Sequence, residues 1–537
     1  MPSFISPAEL ANLLDGNEEL AFFDVREHRD YEGGHPFSAV SLPYSRLEIC
    51  VRRLAPRTSV KTVLIDDADG LAELAARRLA SVGYRDLAVL TGGIESWKKA
   101  GFGLFHGLHT PSNTFAQLVA LLYRTPRLTA AKLRITLQSG SKAILLDART
   151  VGEHQQATIP DAIGCGGQPA PLWKRVVDDD NTPIIVIGGT FGRSVIAAQT
   201  LINTGVHNPV FALEDGLQGW VLQSLPLEHG SNRRYKPVAS EEGPPLPTNV
   251  ARFAVNMGVQ HLDAVAAQRW IDDPARTTYL FDVRTAEDSQ HGRVANAARV
   301  STEQLIHATA SYIGVRRARV ILLDADGSRA CVAAGWLHQM GVEVGILESS
   351  ASGNVTLRPS DTTLPIGCAI DILDAERLRE QAKCGPMPIV ELRSSTDFRH
   401  SHAAGAIWSI RPRIVEAARR LAKDKTAITL IADDPRIAQL AALDLKDAGF
   451  KRVQTVANGL KTWKSAGLAV HGFRGYPTDA DAVDCSVTTP SSTCGTTPKK
   501  KADNDLLTLC NKEELSLFRV ATHVGTWFVD QAEPADA

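Results

Sequence analysis

The chain is poor in cysteine, has almost no net charge and has no long apolar run. Eight cysteines among 537 residues are too sparse for a disulfide scaffold. None stands in a C-x-x-C pair, which argues against zinc ribbons and thioredoxin-type redox pairs. Lys and Arg number 58 against 60 Asp and Glu, a net charge of −2, which excludes a broadly cationic nucleic-acid binder. No apolar stretch approaches the ~18 residues of a membrane span, so no membrane association is expected. The start, MPSFISPAELANLL, has neither a basic n-region nor a long apolar h-region, so a secretory signal is not expected and the location reads as cytoplasmic. What the chain does have is ample core material, 44% hydrophobic residues, and a length that at roughly 150 residues per domain predicts three or four domains.

Internal repeats account for that length. Four short apolar runs end in an acid, a spacer and Arg: Asp24 with Arg26, Asp147 with Arg149, Asp282 with Arg284 and Glu391 with Arg393. Each is followed by a second apolar run, a short polar loop and an Ala-rich stretch, as in PIIVIGGTFGRSVIAAQTL. From the loop start to the Gly that ends the Ala-rich stretch is 17 residues in all four copies: Asp66 to Gly83, Gly188 to Gly205, Asp324 to Gly341 and Ala432 to Gly449. A Gly-x-x-x-Trp motif closes three copies, at Gly93 with Trp97, Gly216 with Trp220 and Gly459 with Trp463. It begins 67, 67 and 66 residues after the acid-x-Arg arginine, and copy three reads ESSASGN at the matching place. Continuous apolar runs suit strands buried on both faces of a parallel sheet, and Ala-rich stretches closed by Gly suit helices. The alternation predicts an α/β fold, four tandem domains, each an open mostly parallel sheet with helices on both faces. Ligand chemistry in such sheets lies beyond the carboxyl ends of the strands, where the polar loops are. The expected boundaries are 1–105, 119–229, 255–355 and 366–470. A Ser/Thr/Pro/Lys-rich linker at 481–505 reads as disordered, and 506–537 as a C-terminal segment apolar enough to fold back on a domain. The Pro- and charge-rich stretch within 224–256 reads as a linker separating two tandem pairs, the first repeat with the second and the third with the fourth.

The repeat resembles the rhodanese family. The resemblance rests on DVRE-x3-Y followed by His35 and SLP, on ATIPDAIG and GRVANAARV in copies two and three, and on Gly92, Gly93 and Trp97. It covers nearly the whole chain, which is similar to bacterial proteins with four tandem rhodanese domains that are often labelled thiosulfate sulfurtransferases. The resemblance implies transfer of a sulfane sulfur from a donor such as thiosulfate, through a cysteine persulfide. That cysteine begins a C-x-x-x-x-R loop at a helix N-terminus, where amides and the helix dipole lower the thiol pKa and hold anions. In register, the nucleophile positions of this chain are Asp66, Gly188, Asp324 and Ala432, and the closing Arg is present as Arg193 and Arg329.

Three loops carry acids where an anion would sit. The second, Gly188, Gly189, Thr190, Phe191, Gly192 and Arg193, carries none, and is the candidate substrate-binding loop. Its three glycines are expected to adopt unusual dihedrals that turn amides inward, and Arg193 to offer a bidentate fork to an oxyanion. A Gly-rich turn with no ligand is the plain alternative. Among the cysteines, Cys165 is the best candidate for a non-standard nucleophile, because it follows the second strand-like run of copy two. Cys50, Cys331, Cys368 and Cys384 read as packed thiols, and Cys485, Cys494 and Cys510 fall in the tail. The acid-x-Arg pairs read as strand-to-loop fasteners, Gly-x-x-x-Trp as packing, and His35, His291 and His402 as turn histidines; no spacing suggests a metal, and no cofactor is implied. Lys499 to Lys501 read as a solvated run.

Three functions remain open. The first, adopted here, is a rhodanese-like protein that binds a small oxyanion or sulfur species in its second domain without efficient sulfur transfer. The second is a working thiosulfate sulfurtransferase using Cys165. The third is a non-catalytic scaffold with a protein partner or a second copy of itself. A phosphatase of this fold would need the same cysteine and a loop one residue longer.

Overall fold

A computed structural model describes residues 2–166, 179–234, 248–284, 297–348, 369–421, 427–472, 475–484 and 506–519. The expectations for His291, Cys368, Cys485, Cys494, Lys499 to Lys501, ESSASGN after Glu348 and the 481–505 linker after Asp484 lie outside these residues, as do parts of GRVANAARV and of the C-terminal segment.

Four α/β sheets repeat one strand order. In the first, the order is Ser3–Ile5, Leu87–Leu90, β1 (Lys61–Ile65), Leu20–Asp24 and Val40–Ser41, all parallel. In the second it is Arg127–Leu128, Val210–Leu213, β2 (Ile184–Ile187), Ile144–Asp147 and Ile163–Gly164. The third centres on β3 (Arg319–Leu323) and the fourth on β4 (Ile428–Ile431), with the same neighbours in the same order. Each of these four strands is in the middle of its sheet and is buried on both faces, which is why its sequence is a continuous apolar run rather than an alternating one.

Each central strand ends in the polar loop and is followed by a helix: α1 (Leu71–Ser81), α2 (Phe191–Asn203), α3 (Ser328–Gln339) and α4 (Pro435–Asp447). The fixed 17-residue spacing has a physical origin, because Gly83, Gly205, Gly341 and Gly449 close these helices at φ between +81 and +101°, a conformation that favours glycine. The Gly of Gly-x-x-x-Trp is fixed by space as well. A Cβ on Gly93, Gly216 or Gly459 would lie 2.3, 2.4 or 2.7 Å from the carbonyl oxygen of Asp66, Gly188 or Ala432. The motif therefore clamps the start of the first, second and fourth loops, and Trp97, Trp220 and Trp463 are buried beneath it with their indole N–H groups bonded to backbone carbonyls.

The expected pairing of repeats is corrected by the structure. The chain forms two compact bodies, one of residues 1–14, 21–108 and 361–502, the other of 15–20, 109–360 and 503–537. The first repeat thus belongs with the fourth, and the second with the third. In the first body Arg411 is fully buried, bonds Glu48 and Asp444, and lies 4.3 Å over the Tyr44 ring. Arg78 also reaches Asp444, at 2.6 Å. In the second body Trp336 of α3 donates to Thr200 of α2 at 2.8 Å and packs among Phe115 and Phe253. Phe518, near the C-terminal end of the described chain, packs on Phe115. Pro and charge content marks where a chain is loose; it carries no information about which faces are complementary.

Candidate functional site

The four loops lie at the carboxyl ends of β1 to β4, and each is filled by groups of the chain itself. In the first, Asp66 is buried and its carboxylate accepts N–H bonds from Ala68 at 2.9 Å and Ala72 at 2.8 Å. Burial raises its pKa, and those amides pull it back. In the third, Asp324 accepts from the amides of Ala325 (2.8 Å), Arg329 (2.7 Å) and Ala330 (3.2 Å), with the Arg329 guanidinium at 3.3 Å. Burial pushes Asp324 up to about 6, with Arg329 opposing and Asp326 assisting. In both loops a carboxylate rests on the amides at a helix start, the place where a bound anion would otherwise be held. In the fourth loop Ala432 is buried, and Asp434 caps α4 through the Arg436 amide at 2.9 Å while pairing with the Arg436 side chain.

The second loop is closed differently, and two details of the sequence reading are corrected. First, none of Gly188, Gly189 and Gly192 has a positive φ. Gly188 and Gly192 are glycine for lack of room: a Cβ on Gly188 would lie 2.4 Å from the Ser194 amide nitrogen and 2.7 Å from Arg193 Cβ, and one on Gly192 would lie 3.1 Å from Ala116 Cβ. Helix α2 begins at Phe191, so the connection is the three residues Gly188 to Thr190, and the Gly188 amide donates to Ser194 Oγ at 2.8 Å. The Arg127 guanidinium lies 5.8 Å over the Phe191 ring.

Second, the Arg193 guanidinium is already engaged. It donates to both oxygens of Glu153, at 2.8 and 2.9 Å, and also pairs with Glu303, on the helix Thr302–His307 of the third repeat. Glu153 sits in the helix Val151–Gln156 and closes a capping box with Thr150. Burial works against the Glu153 charge, but the Arg193 bonds and Thr150 bring it down to about 2. Glu303 is the loser of this competition: burial, and then the Glu153 charge, push it up to about 7 despite Arg193. The loop has no acid of its own, yet acids from two other elements reach it, which spacing within one repeat could not reveal.

The acid-x-Arg pairs fasten strand end to loop, as expected. Arg26 bonds Asp24 and the Gly34 carbonyl, Arg149 bonds Asp147 and the Ala157 carbonyl, and Arg393 bonds Glu391 and the Ser401 carbonyl. His35 and His402 bond the carbonyls of Tyr31 and Phe398 and stack on those same rings. One constellation escaped the sequence reading. His154 stands seven residues after Asp147, where Tyr31 and Phe398 stand after their acids, and its Nδ1 lies 2.9 Å from Asp147 Oδ2. Despite burial, that bond, Arg149 and Thr158 hold Asp147 well below the usual carboxylate range. An acid at the end of one strand with a His in place of the repeat's aromatic was the available signal.

Cys165 is buried at the end of its strand, and its thiol donates to the Asp147 carbonyl at 3.2 Å. Cys331 is buried within α3, where burial and then Asp324 push its thiol up to about 12. Burial also raises Cys50, and raises Cys510 to about 12, while Cys384 is exposed. Among the described residues no group of three or more His, Cys, Asp or Glu is placed to hold a metal, and no helix is long and apolar enough to cross a membrane.

Comparison with known proteins agrees with this architecture. The family model of the rhodanese-like domain matches residues 6–100, 129–223 and 374–466. A crystal structure of thiosulfate sulfurtransferase from Pseudomonas aeruginosa superposes with a TM-score of 0.83 at 30% identity, covering 98% of each chain. An uncharacterised protein of Synechocystis is 30% identical over 114 residues, which is 21% of this chain and 62% of that protein. With the same sheet repeated four times and the family model matched over more than half its length, the chain belongs to the rhodanese-like family.

Proposed function

We propose that this chain is a rhodanese-family protein that does not pass sulfur through a loop persulfide, and that its second repeat holds a small oxyanion or sulfur species of the thiosulfate kind through Arg193. The observation that carries the first half is the pair of aspartates on the loop amides. Where sulfur transfer needs a thiolate, Asp66 and Asp324 supply a non-nucleophilic anion already bound to the donors. Gly188 and Ala432 supply no functional group at all.

The second half rests on a difference among the loops. In the first, third and fourth the carboxylate belongs to the loop and cannot leave it. In the second the carboxylates are Glu153 and Glu303, from elements outside the loop, and Arg193 Nε has no hydrogen-bond partner among the described residues. A tetrahedral oxyanion that displaces one of them gains a fixed guanidinium. The Pseudomonas relative, named thiosulfate sulfurtransferase, supports sulfur oxyanions as the class to test first. Thermal shift with sulfate and thiosulfate tests the reading: stabilisation is expected, and Arg193→Ala is expected to abolish it. No shift in the parent chain sinks it.

A non-catalytic scaffold is the second reading, favoured by the fact that Arg193 is already paired. The Cys165 alternative is disfavoured by that thiol's burial and its bond to the Asp147 carbonyl.

A further inference from the structure

Glu303 is an odd residue to find beside Arg193. Two carboxylates share one guanidinium, Glu153 takes the bidentate position, and Glu303 is left buried with its Oε2 lacking a hydrogen-bond partner among the described residues. A buried carboxylate oxygen without a donor is costly, and here the cost sits on a side chain delivered from another repeat. The surroundings give little relief. His109, at the start of Thr110–Leu122, has its Nδ1 buried and without a hydrogen-bond partner among the described residues. His307, on the same helix as Glu303, is held neutral, burial and then Arg193 bringing it down to about 3. Arg149, beyond the strand Ile144–Asp147, is committed to Asp147 and the Ala157 carbonyl.

We propose that Glu303 is a built-in competitor for the second loop's ligand: its carboxylate and an incoming small oxyanion take the outer side of Arg193 in turn. This rests on the oxyanion reading of Arg193 and adds its regulation. Oxyanion occupancy and the seating of Thr302–His307 on α2 then oppose each other, so the third repeat acts as a latch on the second. The charges acting on Glu303 are Arg193, Glu153 and Arg149, with His109 and His307 beside the same Arg193, and of the two acids Glu303 is the one that takes a proton near neutrality. Protonation removes its claim on Arg193, so acid favours the ligand. Reciprocity requires that a bound oxyanion weaken the docking of the helix.

The test is sulfate binding by the full chain at pH 6 and pH 8, by calorimetry or thermal shift. The parent chain is expected to bind about tenfold more tightly at pH 6, the ratio of protonated Glu303 across that range. Glu303→Gln should bind at pH 8 as tightly as the parent does at pH 6 and lose most of the pH dependence. Glu303→Asp, which keeps the charge, should keep that dependence. Amide exchange within 302–307 should quicken when sulfate is added to the parent chain. If the parent binds through Arg193 but Glu303→Gln binds no more tightly at pH 8, the latch is overturned and the oxyanion reading stands. If neither chain binds at either pH, the oxyanion reading falls and takes the latch with it.

Discussion

Two single substitutions write the same motif into this chain and should have opposite outcomes. Gly188→Cys and Asp324→Cys each create C-x-x-x-x-R, ending at Arg193 or Arg329, and the absence of acids in the second loop favours the former on sequence. At position 188 the new Cβ would lie 2.4 Å from the Ser194 amide nitrogen and 2.7 Å from Arg193 Cβ. Both sites of clash belong to the first turn of α2 and cannot swing away. Overpacking of this kind costs about 1–3 kcal/mol, on the order of 5 °C in Tm for a body of this size. The arginine of that loop is meanwhile held by Glu153 and Glu303. At position 324 a Cβ is already present, and three amides within 2.7 to 3.2 Å point at the side chain. Removing the carboxylate empties that cradle for a thiolate or persulfide. Since one preorganised donor is worth roughly 10²–10³ in rate, Asp324→Cys should form thiocyanate from thiosulfate and cyanide at least about tenfold above the blank. Intact mass after thiosulfate should show one added sulfur. Gly188→Cys should show neither and should melt lower. Activity in Gly188→Cys without loss of stability, with none in Asp324→Cys, would show that space at position 188 and the amides around position 324 do not decide which loop can carry a thiol.

Other consequences follow from the same structure. Burial raises Glu27 and Glu303 to about 7 and Asp324 to about 6, against roughly 4 unfolded. Their stabilisation is full below about pH 4 and lost as pH rises through 6 to 7, roughly 3 kcal/mol for Glu303. Glu153, lowered to about 2, works oppositely, its share present in full above about pH 4 and lost as pH falls from there through 2. His35 and His307, held neutral by burial at about 4 and about 3, oppose this up to about pH 6.5, so the reading is a comparison: between pH 5 and pH 7 the Tm of the parent should fall relative to that of Glu303→Gln, and parallel profiles contradict the burial argument. Arg411→Ala strands Glu48 and Asp444 in a buried site, and should cost about 3–5 kcal/mol, read as a lower denaturant midpoint for the first body alone. Trp220→Ala, which empties a buried core position and frees the Pro226 carbonyl, should cost about 3–5 kcal/mol in the second body. An effect under 1 kcal/mol would mean the clamp over Gly188 is held by something else.

The fold was legible because its punctuation is local. Gly83, Gly205, Gly341 and Gly449 need their φ wherever the helix ends, and Gly93, Gly216 and Gly459 need their lack of Cβ wherever the loop begins, so spacing alone reported the architecture. The candidate site was half legible. That Asp66 and Asp324 stand at the loop starts can be read in register; that their carboxylates take the loop amides depends on backbone geometry. The role of the glycines at 188, 189 and 192 was misread because composition does not separate a need for left-handed φ from a need for space. The partners of Arg193 could not be read at all: Glu303 lies in the next repeat, and pairing of the second repeat with the third depends on the surfaces that meet at Trp336 and Phe115. The buried Asp147 and His154 pair was readable, as a departure from the aromatic at that register.

Closure of each loop by a group of the chain itself, as proposed, leaves no thiol where sulfur would be received. The most direct measurement is thiosulfate:cyanide sulfurtransferase activity of the full-length parent chain, followed by intact mass after thiosulfate. The expected result is thiocyanate formation at the rate of the no-enzyme blank, with no cysteine gaining sulfur. Turnover well above the blank, with a persulfide on any cysteine that is lost in its serine variant, Cys165→Ser first among them, would contradict the account.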